Sequence, residues 1–200
     1  MADERKALRQ SLRDQRRAIS AKERIAGAEG LARQLRKLSF APSHGHVAGY
    51  WAMDGEIALH AWQLGLPDTV TYCLPVLSED GRLRFAPWAP GMPLASNRFG
   101  IPEPTVTAEG LLNADQMQFV VLPLVGFDDR LQRLGMGGGW YDRSFAFRAD
   151  ARAPPPWLVG AGFAAQQVKE RLLAQPWDVR LDAVCTDRSS FLDMRPRDPA

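Results

Sequence analysis

The 200-residue chain reads as an α/β protein: an open, mainly parallel sheet flanked by helices in a Rossmann-like three-layer arrangement, with a small β-hairpin insertion. Three observations predict this. The apolar runs His46–Trp51, Phe119–Leu124 and Trp157–Ala161 have the continuous hydrophobicity of strands covered on both faces. Segments of helical period alternate with them. A glycine-rich loop follows the most apolar run and precedes a helical segment, the strand–loop–helix order of α/β sheets.

Each element has a local reason. Residues 4–18 form a first helix, with Leu8, Leu12 and Ile19 near one face and basic residues over the rest. Ser20 with Glu23 is a capping box that starts a second helix running to about Leu38. The strand His46–Trp51 comes next, then a helix over Ile57–Leu64 stopped by Gly65-Leu66-Pro67-Asp68. Val70–Pro75 is a strand, and Asp80-Gly81 marks a hairpin between Leu77 and Leu83–Phe85. Residues 87–104 carry five prolines and read as an irregular loop. Phe119–Leu124 is the central strand. A helix follows over Tyr141–Arg148, and Pro154–Pro156 breaks the chain. Trp157–Ala161 is a strand, Gln166–Leu173 a helix and Leu181–Cys185 a last strand.

Composition narrows the class. Apolar content of 46% and a net charge of +2 are those of a soluble globular protein without an obligatory nucleic-acid partner. One domain over residues 1–200 is the default, with residues 1–38 as a basic helical pair packed on the α/β core. Residues 1–37 hold eleven Lys/Arg against five Asp/Glu. Cys73 and Cys185 stand in apolar surroundings without metal-type spacing, as expected of reduced, buried thiols in a cytoplasmic protein. No apolar run approaches a membrane span, and the charged N-terminus lacks the apolar stretch of a secretory signal.

The richest segment is Arg133-Leu134-Gly135-Met136-Gly137-Gly138-Gly139-Trp140-Tyr141-Asp142-Arg143. Four glycines in five positions let a ligand approach the backbone N–H groups. A helix opening just after them adds further N–H donors and a positive dipole end, which suits phosphate. It is neither a Walker loop nor a dinucleotide fingerprint; a turn that only lets a helix pack closely is the plain alternative. Asp142 is either a helix-start acid or, beside phosphates, a Mg²⁺ ligand. Asp182 is a candidate second acid, although alone it reads as a surface residue. Glu56 follows the first strand, as a solvated helix start or as a carboxylate for a donor-rich ring. Arg5 and Arg9 share one face of the first helix, with Lys6 beside them. That face is either solvated or turned to a phosphate. His44, His46 and His60 show no ligand spacing.

Four blocks in order carry a family likeness: Arg5-Lys-Ala-Leu-Arg9, Tyr50–Ile57 with its Glu, Arg98-Phe-Gly-Ile-Pro-Glu-Pro104, and Leu122–Arg143. Trp177-Asp-Val-Arg-Leu-Asp182 is a weaker fifth. On these residues the chain resembles the 5-formyltetrahydrofolate cyclo-ligase family. The resemblance implies that ATP and 5-formyltetrahydrofolate give 5,10-methenyltetrahydrofolate, ADP and phosphate, with Mg²⁺, in a monomer that handles small molecules. It implies an ATP site on Arg5, Lys6, Arg9, Arg133, Leu134, Gly135, Met136, Gly137, Gly138, Gly139, Trp140 and Tyr141, with Arg133 and Tyr141 catalytic. It places folate on Trp51, Glu56 and the loop Met136–Trp140, and the metal on Asp142 and Asp182. The chain departs from the family at Arg5, where lysine is common, and at Trp140, where tyrosine is common. The competing readings are an ATP-using enzyme with another substrate, and a non-catalytic protein whose basic helices bind nucleic acid.

Overall fold

A computed structural model of the chain describes residues 2–149 and 154–194. Helix α1 spans Ala2–Arg17 and α2 spans Ala21–Lys37. The capping box forms as expected: the Glu23 N–H donates to Ser20 Oγ, and the Glu23 carboxylate accepts from the Ser20 N–H at 3.0 Å. Strand β1 is Gly45–Ala48, and α3 is only His60–Gln63. Strands β2 (Val70–Leu77) and β3 (Leu83–Pro87) form the antiparallel pair that Asp80-Gly81 announces. Residues 87–104 are not wholly irregular, because β4 (Leu94–Ser96) and β5 (Pro102–Pro104) pair within them.

Strand β6 is Phe119–Pro123, followed by the short antiparallel pair β7 (Gly126–Phe127) and β8 (Arg133–Leu134). Helix α4 covers Trp140–Ser144 and gives way to a 3-10 turn over Ala146–Ala149. The single helix expected over 141–148 is therefore two pieces. Ser144 Oγ donates back to the Trp140 carbonyl and accepts the Leu83 N–H, a back-bond that competes with helix continuation. Strands β9 (Trp157–Ala161), β10 (Ala183–Cys185) and β11 (Ser190–Leu192) complete the fold.

The helix expected over Gln166–Leu173 does not form; only a 3-10 turn, Ala164–Gln166, is present. The backbone there finds partners elsewhere. Val168 N–H donates to Phe127 O, Leu172 N–H donates to Asp128 Oδ2, and Gln167 bridges Phe127 in parallel.

The seven-stranded sheet has the order β11-β10-β9-β6-β1-β2-β3, parallel inside and antiparallel at both edges. Side chains alternate across it. Phe119 and Val121 of β6 face a core built with Leu31 and Leu35 of α2 and Trp62 of α3. Val120 and Leu122 face the opposite core with Phe145, which follows α4. Helices thus cover both faces. Cys73 and Cys185 are buried free thiols whose burial pushes them up to about 12. Helix α1 lies apart from both layers, setting Leu12 against Val125, Leu134 and Val168 beyond the end of β6.

Candidate active site

Between β1 and β6 the chain order in the sheet reverses, β1 leading outward to β2 and β6 outward to β9. Open α/β sheets hold ligands at such a point, outside the carboxyl ends of the strands. Here the segment after β1 carries Tyr50, Trp51, Asp54 and Glu56, and the segment after β6 leads through β7 and β8 into the glycine loop. Helix α1 contacts both.

At its N-terminal half, Arg9 Nε donates to Gly135 O at 2.7 Å, and its guanidinium lies 3.7 Å from where a Gly137 Cβ would stand. Burial first, then the like charges of Arg5 and Arg13, lower the Arg9 pKa. Arg5 is half-buried on this face, whereas Lys6 is exposed. Of the two, Arg5 is the one whose charge reaches Arg9. Gly135 meets open space, and Gly137 and Gly139 take left-handed φ values of 94° and 64°, a region that costs other residues. Gly139 is the N-cap of α4.

At its C-terminal half, Arg13, Arg16 and Arg17 converge on Asp54. Burial pushes the Asp54 carboxyl up, but hydrogen bonds from Arg13 and Arg17 outweigh it and hold it below the usual range. Arg16 is 1% exposed; it also donates to Leu124 O at 3.2 Å and stands 3.8 Å from Glu56. Glu56 Oε2 accepts the Met53 N–H at 2.9 Å. Burial raises the Glu56 pKa, and the Met53 N–H and Arg16 offset only part of that.

Tyr141 stacks on Phe145. Burial and then the charge of Glu56 push its phenol far above the ordinary value, so it acts as a neutral hydroxyl. Arg133, on β8, binds Asp142 Oδ1 and the Val179 carbonyl through its guanidinium. In this arrangement it holds the Asp142 carboxylate. Trp51 is 37% exposed and meets Trp88 edge-on. Trp140 lies under the guanidiniums of Arg98 and Arg143 and edge-on to Phe99. The β4–β5 turn therefore reaches the glycine loop, and the two sequence blocks Arg98–Pro104 and Leu122–Arg143 meet in space.

The two expected metal ligands do not share an end of the sheet. Asp142 Oδ1 accepts from Arg133 and from the Val179 N–H. Asp182 immediately precedes β10, at the amino end of the parallel strands, opposite the switch point. It is 4% exposed, not a surface residue, and its carboxylate takes the Leu158 N–H at 2.6 Å and Arg148 at 3.2 Å. The carboxylate next to the Asp142–Val179 contact is Asp178, whose Oδ2 accepts the Gln175 N–H. Spacing alone could not choose between the acids at 178 and 182. No group of three or more His, Cys, Asp or Glu suited to a metal occurs among the described residues. Arg16 and Asp54 also escape sequence reading, because a charged helix face ordinarily signals solvent.

The model of the 5-formyltetrahydrofolate cyclo-ligase family matches residues 1–187. The chain belongs to this family. A cyclo-ligase of Haemophilus influenzae is 36% identical over 140 residues, covering 68% of this chain and 72% of its own. That of Escherichia coli strain K12 is 32% identical over 183 residues, covering 88% and 96%. Among solved structures, the Aquifex aeolicus 5,10-methenyltetrahydrofolate synthetase superposes with a TM-score of 0.78 at 26% identity, over 98% of this chain and 96% of that one. A synthetase from Mycoplasma pneumoniae, at 22% identity and a TM-score of 0.68 over 92% and 99% of the two chains, shares the fold. As a cyclo-ligase family member the chain is a ligase, and the switch-point cleft is its candidate active site. No helix among the described residues is long and apolar enough to cross a membrane.

Proposed function

We propose that the chain converts 5-formyltetrahydrofolate and ATP to 5,10-methenyltetrahydrofolate, ADP and phosphate. The observation that carries this reading is the meeting of the Arg5/Arg9 face and glycine loop with the Glu56 segment at one switch point. Family membership names the chemistry that suits such a pair of half-sites.

A formamide carbon is a poor electrophile. Transfer of the γ-phosphoryl group to the formyl oxygen forms an O–P bond and breaks the bond to ADP. N10 then attacks the activated carbon and loses its proton, and the C–O bond breaks to release phosphate with the former formyl oxygen. The protein's part is positioning and charge stabilisation. Arg5, Arg9 and the N–H groups of the loop hold the phosphates. Glu56 accepts from the donor edge of the pterin, and Trp51, with Met136–Trp140, supplies the walls. Tyr141 closes the ATP-binding loop as a neutral donor. Arg133 acts by fixing Asp142.

A magnesium ion fits beside the phosphates, where such ions take one or two carboxylates and keep several waters. Asp142, together with Asp178, would hold it. Asp182 does not fit that role, since its carboxylate is engaged at the other end of the sheet. When bound, the ion neutralises phosphate charge. We infer a cytoplasmic monomer, in keeping with reduced buried thiols.

The test is direct. Protein incubated with 5-formyltetrahydrofolate and Mg-ATP should generate the methenyltetrahydrofolate chromophore, dependent on both substrates. ATP binding without folate binding would point instead to a different substrate on the same fold.

A further inference from the structure

We propose that Arg16 is a positioning residue that couples the two half-sites through α1, so that each substrate binds more tightly once the other is in place. This rests on the cyclo-ligase reading above. Helix α1 is one continuous element from Ala2 to Arg17, and Arg9 and Arg16 stand about 10 Å apart along it. Arg9 touches the glycine loop through Gly135 O, and Arg16 touches the segment after β1 and the end of β6 through the Asp54 carbonyl, Asp54 Oδ2 and Leu124 O. Between these contacts Leu12 seats the helix on Val125, Leu134 and Val168. It lies so close to Gly126 that a Cβ there would stand 2.7 Å from Leu12 Cδ1. A shift of the helix at one end is therefore felt at the other.

Both ends hold features that need the helix in place. Docking takes the Arg9 guanidinium out of water beside the like charges of Arg5 and Arg13, a cost that an anion bound there offsets. Asp54 has φ 51°, a left-handed backbone that a non-glycine residue keeps only where its surroundings impose it. Its carboxylate is fixed by three arginines of α1, and two residues on stands Glu56, with Arg16 3.8 Å away. Phosphate at the N-terminal half favours the docked helix, and the docked helix fixes the turn that aims Glu56. Thermodynamic linkage requires the effect to be equal in the other direction.

The experiment is calorimetric titration of the full chain with 5-formyltetrahydrofolate, with and without a non-hydrolysable ATP analogue and Mg²⁺, and the reverse. For the wild type, each ligand should tighten the other by the same factor, at least about fivefold. In Arg16→Met that factor should fall below about twofold while affinity for the analogue alone is kept. The variant should raise KM for the folate at saturating ATP more than it lowers kcat, whereas a merely structural role would weaken both ligands alone. Asp54→Asn, at a partly exposed side chain, should move the coupling the same way and decides the matter if Arg16→Met does not fold. A wild type without coupling, or folded variants with wild-type coupling, would overturn the proposal. A wild type that binds no folate under either condition would overturn the cyclo-ligase reading as well.

Discussion

Glu56 is the residue proposed to hold the folate, and its burial has a measurable consequence. Its pKa is raised, burial being the main cause. If the ionised form binds the pterin, affinity is lost as pH falls through that raised value, so the acid limb should lie above the ordinary carboxylate range. Glu56→Gln removes one charge-assisted hydrogen bond, expected to weaken folate binding about 10- to 100-fold. That variant should also abolish the acid limb; a limb unchanged in Glu56→Gln would show that another group titrates. Asp142 and Asp182 separate function from stability. Asp142→Ala should lower turnover at least about 100-fold with the fold intact by circular dichroism. Asp182→Ala leaves Arg148 and the Leu158 N–H without their buried partner. It should cost about 3–5 kcal/mol in denaturant unfolding, whatever its activity. The sequence offers both acids for one ion, because only the fold sets Asp182 at the amino end of the strands.

At the scale of elements, legibility follows burial. The strands of the parallel core showed in the sequence because they are covered on both faces, and their apolar runs fall within two to three residues of β1, β6, β9 and β10. The β4–β5 hairpin did not show, because Pro102 and Pro104 argue against a strand unless it lies at an edge. It is held by side chains instead: Glu103 Oε1 accepts from Leu77 N–H and from Asn97 Nδ2, and Asn97 Oδ1 accepts from the N–H groups of Phe99 and Ile101. Glu103→Ala should cost about 1–3 kcal/mol and alter Trp140 fluorescence, since Phe99 and Arg98 at the hairpin turn contact that ring. Unchanged emission would detach the hairpin from the loop. The missing helix over 166–173 is the converse case, where nonlocal partners on β7 and Asp128 overrode local propensity. Gly137 belongs to the loop as a unit. With φ 94°, Gly137→Val should block close approach and weaken nucleotide binding more than about tenfold; equal affinity in a titration would contradict the cradle.

For the whole molecule, the sheet order decides where chemistry happens. The switch between β1 and β6 brings together residues from positions 5 to 56 and 133 to 142 that no local pattern connects. The glycine loop and Glu56 were legible as candidates because their residue types are unusual in context. The arginine clamp on Asp54 was not, because only the fold turns that helix face inward. We propose that this cleft serves phosphoryl transfer to the formyl oxygen. Turnover of 5-formyltetrahydrofolate labelled with ¹⁸O in the formyl group tests it most directly. The expected result is one ¹⁸O atom in each phosphate released with methenyltetrahydrofolate. Product formation with unlabelled phosphate would contradict it.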